Sequence, residues 1–417
     1  MTVVEITEQT LAFIAEHRNE DVRDLALHAR HDASVDLPFA LEQISGWQRA
    51  RVKLPDWAGC EGVIYPPQVP MEQCSSQFTA QYKARVASRL MASSDSPTSL
   101  VDMTGGFGVD FSYMARVFDT ATYVERQPDL CDIARHNLPL LGLPHAGIIN
   151  GDSTEAVRGL DRVSMIFADP ARRDDHGSRT YAIADCTPDV LALKDLLLGK
   201  ASVVMIKLSP MLDWHKTVAD FSGSVHEVHI VSTGNECKEL LLVLGRDRCD
   251  APRVVCVNDD QVLEFVPDAS RGNDSAMIAA ESANRASDGR IVADDAGWQY
   301  LYEPNASIMK AGCFDIVERR FNVRQIGPNS HLFVSGQSIG GFPGRSFAIE
   351  TVTTMNKHDL NRAMKGLTHA NITVRNFPMP VAGLRRKLRL KDGGDTYLFA
   401  TTDTEGHHII IRTIKQQ

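Results

Sequence analysis

The sequence contains no apolar run approaching the roughly 20 residues that a membrane-spanning helix needs. Its opening stretch, MTVVEITEQTLAFIAEH, lacks the basic flank and apolar core of a secretory signal. Both absences predict a cytoplasmic protein with no membrane partner. Cysteine is sparse, with eight residues scattered from Cys60 to Cys313 and no CxxC, so neither a disulfide framework nor a zinc site is expected. Other metal signals fail on geometry. His226-Glu227-Val228-His229 is not HExxH, and on a strand its two histidines point to opposite faces. His407-His408 stands isolated, and Cys249 and Cys256 lack partners. No metal is expected. GxxxxGK[ST] is also missing, which leaves nucleoside-triphosphate hydrolysis without support.

What is present is a long chain with apolar content to spare. Its 417 residues are 43% hydrophobic, which excludes a largely disordered or fibrous protein. Allowing roughly 100–200 residues per domain, two to four domains are expected. The net charge of −9 argues at first against nucleic acid, but it is unevenly spread. Residues 336–417 carry 12 Lys and Arg against 6 Asp and Glu, a balance of +6 that leaves −15 on the first 335 residues. An acidic body with a basic C-terminal module removes that objection to a nucleic-acid partner. Within that module, Leu384-Arg385-Arg386-Lys387-Leu388-Arg389-Leu390-Lys391 is either a phosphate-tracking stripe or a solvated amphipathic face. Nearby Phe399 is expected in the core rather than as a base-stacking platform.

Residues 1–95 read as helical, interrupted by an extended loop at GVIYPPQVP. From residue 99, SLVDM, ATYVE, AGIIN, VSMIFAD and ASVVMIKLS are five candidate strands separated by helical segments, the pattern of a parallel sheet. VHEVHIVS and KELLLVLG follow, joined by TGNECK, too short for a crossover helix, so this last pair must be antiparallel. Residues 269–297 form a polar, small-residue stretch expected to be a surface loop or a partly mobile insertion.

The chemistry collects at the carboxyl ends of the candidate strands, where open α/β sheets bind ligands. Asp102 and Gly105, Gly106 and Gly108 close the first strand, where glycines let backbone approach a ligand. Glu125 ends the second strand, 20 residues after Gly105, placed to accept hydrogen bonds from ribose hydroxyls. Asp152, placed for an adenine amino group, follows the third with Ser153. Asp169-Pro170-Ala171-Arg172 follows the fourth. Asp169 can accept a hydrogen bond from a base amine, and Pro170 offers only a carbonyl; a structural turn is the alternative for Asp169. Arg172, Arg173 and Arg179 either grip phosphate or decorate a solvated loop. Lys207 lines the pocket or lies on the surface.

The series VDMTGGFG, YVER, NGDS and ADPAR, with the final antiparallel hairpin, resembles class I S-adenosylmethionine-dependent methyltransferases. More closely, the chain is similar to bacterial methyltransferases with a C-terminal THUMP-like domain, through EQCSSQFTAQYKA, KLSPMLDW, NECKELL, YLYEPNASIMKAG, NSHLF and NITVRNFP. TGGFG departs from the common GxGxG spacing, and DPAR from the NPPY or DPPF type.

That resemblance implies an α/β Rossmann-like fold, a seven-stranded sheet ending in an antiparallel hairpin, with a helical N-terminal region and small α+β C-terminal domains. The expected segments are helical 1–95, methyltransferase 96–246, ferredoxin-like 247–335 and THUMP-like 336–417. It further implies S-adenosyl-L-methionine as cofactor, held by Asp102, Gly105, Gly106, Gly108, Glu125, Asp152 and Ser153. Asp169, Pro170 and Arg172 would face the target, a base nitrogen in RNA (rRNA or tRNA). A protein or small-molecule methyltransferase, an RNA-binding protein with a degenerate cleft, and a nicotinamide-dependent oxidoreductase are the alternatives.

Overall fold

The computed structural model describes residues 6–28, 32–172, 183, 186–267 and 297–416. Arg173 and Arg179, and residues 269–296 of the expected surface loop, lie outside the described residues. The chain divides into two compact units, one of residues 1–228 and 238–252, the other of residues 229–237 and 253–417.

In the first unit, helices Leu37–Lys53 and Gln77–Met91 each start at a polar cap. Asp36 accepts from the Phe39 amide at 3.1 Å, and Ser76 from the Thr79 amide at 3.3 Å, which satisfies donors that have no partner inside the helix. The loop expected at GVIYPPQVP is shorter than its three prolines imply. Helix Gln68–Gln73 begins directly after Pro67 and takes Pro70 into its first turn, where proline's missing N–H costs nothing. The backbone before it is held by two side-chain amides. Asn137 brackets Ile64 at 2.7 and 2.9 Å, and Gln43 brackets Tyr65 at 2.8 and 3.0 Å.

The strands of this unit are β1 (Ser99–Asp102), β2 (Thr120–Glu125), β3 (Gly147–Asn150), β4 (Val163–Ala168) and β5 (Ala201–Leu208), and β6 (Val225–Thr233) begins and β7 (Glu236–Leu244) ends in it. They run in the order β3-β2-β1-β4-β5-β7-β6 within a sheet of nine strands, two more than the seven expected. β1 to β5 are parallel, whereas β7 runs antiparallel to β5. β6 and β7 meet through Gly234 and Asn235, both at positive φ (57° and 62°), as the tight hairpin turn requires. The connection is thus two residues, not TGNECK, because Glu236 and Cys237 continue the strand. Leu100, Val101, Met165, Ile166, Phe167, Val204, Met205 and Ile206 are buried, which explains why β1, β4 and β5 read as unbroken apolar runs. The strand order reverses between β1 and β4, the kind of switch point beside which open α/β sheets bind ligands.

The second unit opens with a hairpin, β8 (Arg253–Asn258) and β9 (Gln261–Phe265). Its main sheet comprises β10 (Tyr300–Pro304), β11 (Arg324–Gln325), β12 (Phe333–Ser335), β13 (Gly344–Thr354), β14 (Asn371–Val374), β15 (Thr396–Thr402) and β16 (His408–Lys415), in the order β11-β12-β10-β13-β16-β15-β14. Only β14 and β15 pair in parallel. Phe399 is fully buried, edge-on to Phe347 at 4.8 Å, as its pattern predicted. The basic stripe falls on helix Val381–Leu388 and the turn after it. Leu384 and Leu390 enter the core, Arg385 pairs with Asp392 at 2.6 Å, and Arg386, Lys387, Arg389 and Lys391 are exposed. Cys256, expected to lack a partner, is hydrogen-bonded to Cys313, and that contact together with burial pushes its thiol pKa up. Among the described residues no helix is long and apolar enough to cross a membrane, and no cluster of three or more His, Cys, Asp or Glu can hold a metal ion.

Candidate active site

The loop after β1 is fixed from both sides. Gly105 lies against the ring of Tyr123: a Cβ there would stand 2.2 Å from the nearest ring carbon. The Tyr123 hydroxyl donates to the Gly106 carbonyl at 2.5 Å, and the Gly106 amide donates to Glu125 Oε2 at 2.9 Å. Gly106 and Gly108 have φ of 55° and 85°, the left-handed region open to glycine at least cost. Glu125, buried at the end of β2, also accepts from the Gln127 amide through Oε1 at 2.8 Å. Each of its oxygens accepts one main-chain bond, so lone pairs remain for a ligand.

Asp102 is buried and accepts from the Thr104 amide at 2.9 Å and the Thr104 hydroxyl at 3.3 Å. Burial pushes its pKa up to about 8, opposed by the bond from the Thr104 amide. The folded carboxyl thus keeps a proton that the unfolded chain releases near the ordinary carboxylate value. Between about pH 4 and pH 8 the folded state holds the extra proton, so stability falls as pH rises. The slope from this one group is at most about 1.4 kcal/mol per pH unit. Asp102→Asn should flatten it, as urea unfolding at pH 5, 6 and 7 will measure. Parallel curves for variant and native protein would contradict the assignment.

Asp152 caps helix Ser153–Gly159, its Oδ1 accepting from Thr154 and Glu155 amides at 2.9 and 3.0 Å. It is exposed and Ser153 is half-buried. Asp169 is drawn toward the glycine loop, its amide donating to Thr104 Oγ1 at 2.6 Å. Pro170 is buried, and the Arg172 backbone pairs with Cys186 in a two-residue strand pair. Lys207 is largely enclosed, and its Nζ donates to Asp169 Oδ2 at 2.6 Å.

Sequence reasoning missed a buried charge cluster reaching this pair. Lys83, with no exposed surface, donates to both oxygens of buried Glu239 at 2.7 Å and lies 3.2 Å from Asp110. Ser75 donates to Asp110 Oδ2 at 2.7 Å, and Asp110 Oδ1 is buried without a hydrogen-bond partner among the described residues. Burial pushes Glu239 up, against the pull of Lys83 and Lys207. A signal existed. Lys83 occupies the face of its helix otherwise made by Thr79, Ala80, Val86 and Ala87, and Glu239 begins an apolar run on β7. One charge of each sign on two apolar faces points to a buried pair.

Residues 300–343 match a ferredoxin-like domain family and residues 344–414 a THUMP-domain-like family. The strands of these two segments share one sheet, joined where β10 pairs antiparallel with β13. A provisionally assigned methyltransferase from Porphyromonas gingivalis W83 is similar over the full length of both chains, with 30% identity and a TM-score of 0.81. A SAM-dependent methyltransferase from Agrobacterium tumefaciens matches at 14% identity, covering 41% of this chain and 61% of its own, with a TM-score of 0.31. A provisionally assigned class I methyltransferase from Listeria monocytogenes matches at 10% identity, covering 67% of this chain and 99% of its own, with a TM-score of 0.38. A search of curated proteins finds no match.

Proposed function

The chain belongs to the bacterial THUMP-like-domain methyltransferase family, in which a class I methyltransferase fold precedes ferredoxin-like and THUMP-like segments, and on that premise we propose that it is an S-adenosylmethionine-dependent RNA methyltransferase acting on a base nitrogen. The observation that carries this reading is the loop between β1 and its helix, where Gly105 leaves no room for a Cβ and Gly106 is tied to the acid ending β2.

The residues present fit that cofactor. Glu125 has acceptor capacity for two ribose hydroxyls, and Gly105, Gly106 and Gly108 let main chain approach without side chains. Asp152 keeps Oδ2 for an adenine amine, beside Ser153. When bound, S-adenosylmethionine supplies a sulfonium methyl to a nucleophilic lone pair. Asp169 and Pro170, with Arg172, hold and orient the acceptor, which is the main demand of a reaction governed by approach geometry. The exposed Arg386, Lys387, Arg389 and Lys391 supply phosphate-binding charge, and RNA, rRNA or tRNA, is the proposed partner.

Glu125→Ala should lower S-adenosylmethionine affinity at least about thirtyfold, as loss of hydrogen bonds to a charged group implies. Calorimetric titration measures it, and unchanged affinity would contradict the site. The function itself is tested by tritium transfer from labelled S-adenosylmethionine into RNA of cells lacking this protein. Label confined to protein or small molecules would refute the RNA assignment.

A further inference from the structure

We infer that Lys207 is a positioning residue that holds Asp169 as a one-sided acceptor, and that the group methylated is therefore an NH2 conjugated to a π system, in RNA the exocyclic amine of a base. The inference rests on the reading of the cleft given above and narrows it.

Both ends of Asp169 are pinned. Its amide donates to Thr104 Oγ1 and its Oδ2 accepts from Lys207 Nζ, each at 2.6 Å. Oδ1 accepts no hydrogen bond from any described residue. The Asp169 side chain is 37% exposed and the Lys207 side chain 14%, so the carboxylate is open where its partner is enclosed. Burial alone would lower the Lys207 pKa, but Asp169, with the nearby charges of Asp110 and Glu239, outweighs it and raises the value. The ammonium is therefore a fixed charge, and the buried Lys83 cluster is built around the same two carboxylates.

A carboxylate paired with a fixed ammonium orients donors more readily than it abstracts protons. Three kinds of acceptor are then distinguished. A hydroxyl or a ring imide N–H must lose its proton before it attacks, and no described group beside Asp169 serves that need. A ring nitrogen without hydrogen has no N–H to donate to Oδ1, so the carboxylate cannot hold the reacting atom. A conjugated NH2 offers one N–H to Oδ1 and keeps its lone pair out of the base plane for the methyl group. As the N–C bond forms, the S–C bond breaks and its electron pair stays on sulfur. The surplus N–H proton then passes through Oδ1 to water. Atoms and charge balance without a further reactant.

The test uses the full chain, tritiated S-adenosylmethionine and an extract of cells lacking the protein, fractionated into RNA, protein and small molecules. The methylated atom in the labelled product is identified by mass spectrometry. An N-methyl on an exocyclic amine in RNA is the expected result. An N-methyl on a conjugated NH2 in protein would support the Lys207–Asp169 assignment and overturn the RNA reading. A methyl on oxygen, carbon or a ring nitrogen would overturn the assignment while leaving methyl transfer intact, and label in no fraction would overturn both. Lys207→Met should lower kcat about 100-fold, the scale expected when a reacting group is misplaced by about 1 Å. Its affinity for S-adenosylhomocysteine should stay within about threefold, and Lys207→Arg, which keeps the charge but not the ammonium's shape, should retain more of the rate than Lys207→Met. A crystal structure of Lys207→Met should find the Asp169 carboxylate displaced. An undisplaced carboxylate, or turnover within about threefold of native, would refute the positioning role.

Discussion

Lys83→Met is expected to destabilise the protein by about 3–5 kcal/mol, the range for removing one partner of a buried ion pair. The magnitude follows from what is left behind. Glu239, 2% exposed, loses both of its 2.7 Å bonds, and Asp110 loses the cation 3.2 Å away. Among the described residues, Lys207 is the remaining cation near both, and it is already committed to Asp169. A buried carboxylate without its counterion takes up a proton or disrupts its surroundings. Glu239→Gln in the Lys83→Met background removes the stranded charge and should recover part of the loss. The contrast is Arg89, which pairs with Glu227 while 41% exposed. Arg89→Ala should cost no more than about 1 kcal/mol, since solvent screens such pairs. Urea unfolding of the three variants measures the series. A Lys83→Met cost below about 1 kcal/mol would mean that the cluster does not hold the fold.

Gly105→Val should abolish measurable cofactor affinity, a loss of at least about 100-fold. The added Cβ would meet Tyr123 at 2.2 Å, and that ring has nowhere to go. Tyr123 is fully buried, edge-on to Phe111 at 5.7 Å, and its hydroxyl is bonded to the Gly106 carbonyl. The loop must shift instead, breaking the bond from the Gly106 amide to Glu125. Overpacking of this kind costs about 1–3 kcal/mol of stability, so the variant should fold while failing to bind. Gly199→Ala is the control. It lies on helix Lys194–Lys200 with nothing within 4 Å of an added Cβ, and alanine is the better helix former there. Native-like binding by Gly105→Val would contradict the loop's role.

The sheet was legible because its grammar is local. Short apolar runs ending in Asp102, Glu125 and Asn150 alternate with helical segments, and the brief connection between β6 and β7 forces an antiparallel pair whatever surrounds it. Asp102, Glu125 and Asp169 stood out as candidates because open α/β sheets place ligands at glycine turns and acids that end their strands. Lys83 and Glu239 were not, because 156 residues separate them and only the fold brings them together. Each was visible as a charge on an apolar face, but no spacing rule names its partner. The sharing of one sheet by residues 300–343 and 344–414 was equally hidden. Pairing of β10 with β13 is a long-range choice of edge that alternation alone does not encode.

The central claim is that the crevice at the ends of β1, β2 and β4 is an S-adenosylmethionine site, and a calorimetric titration of the native chain tests it most directly. One molecule should bind per chain, S-adenosylhomocysteine should compete for the same site, and Glu125→Ala should weaken both. No heat of binding at millimolar cofactor, or binding indifferent to Glu125, would contradict it.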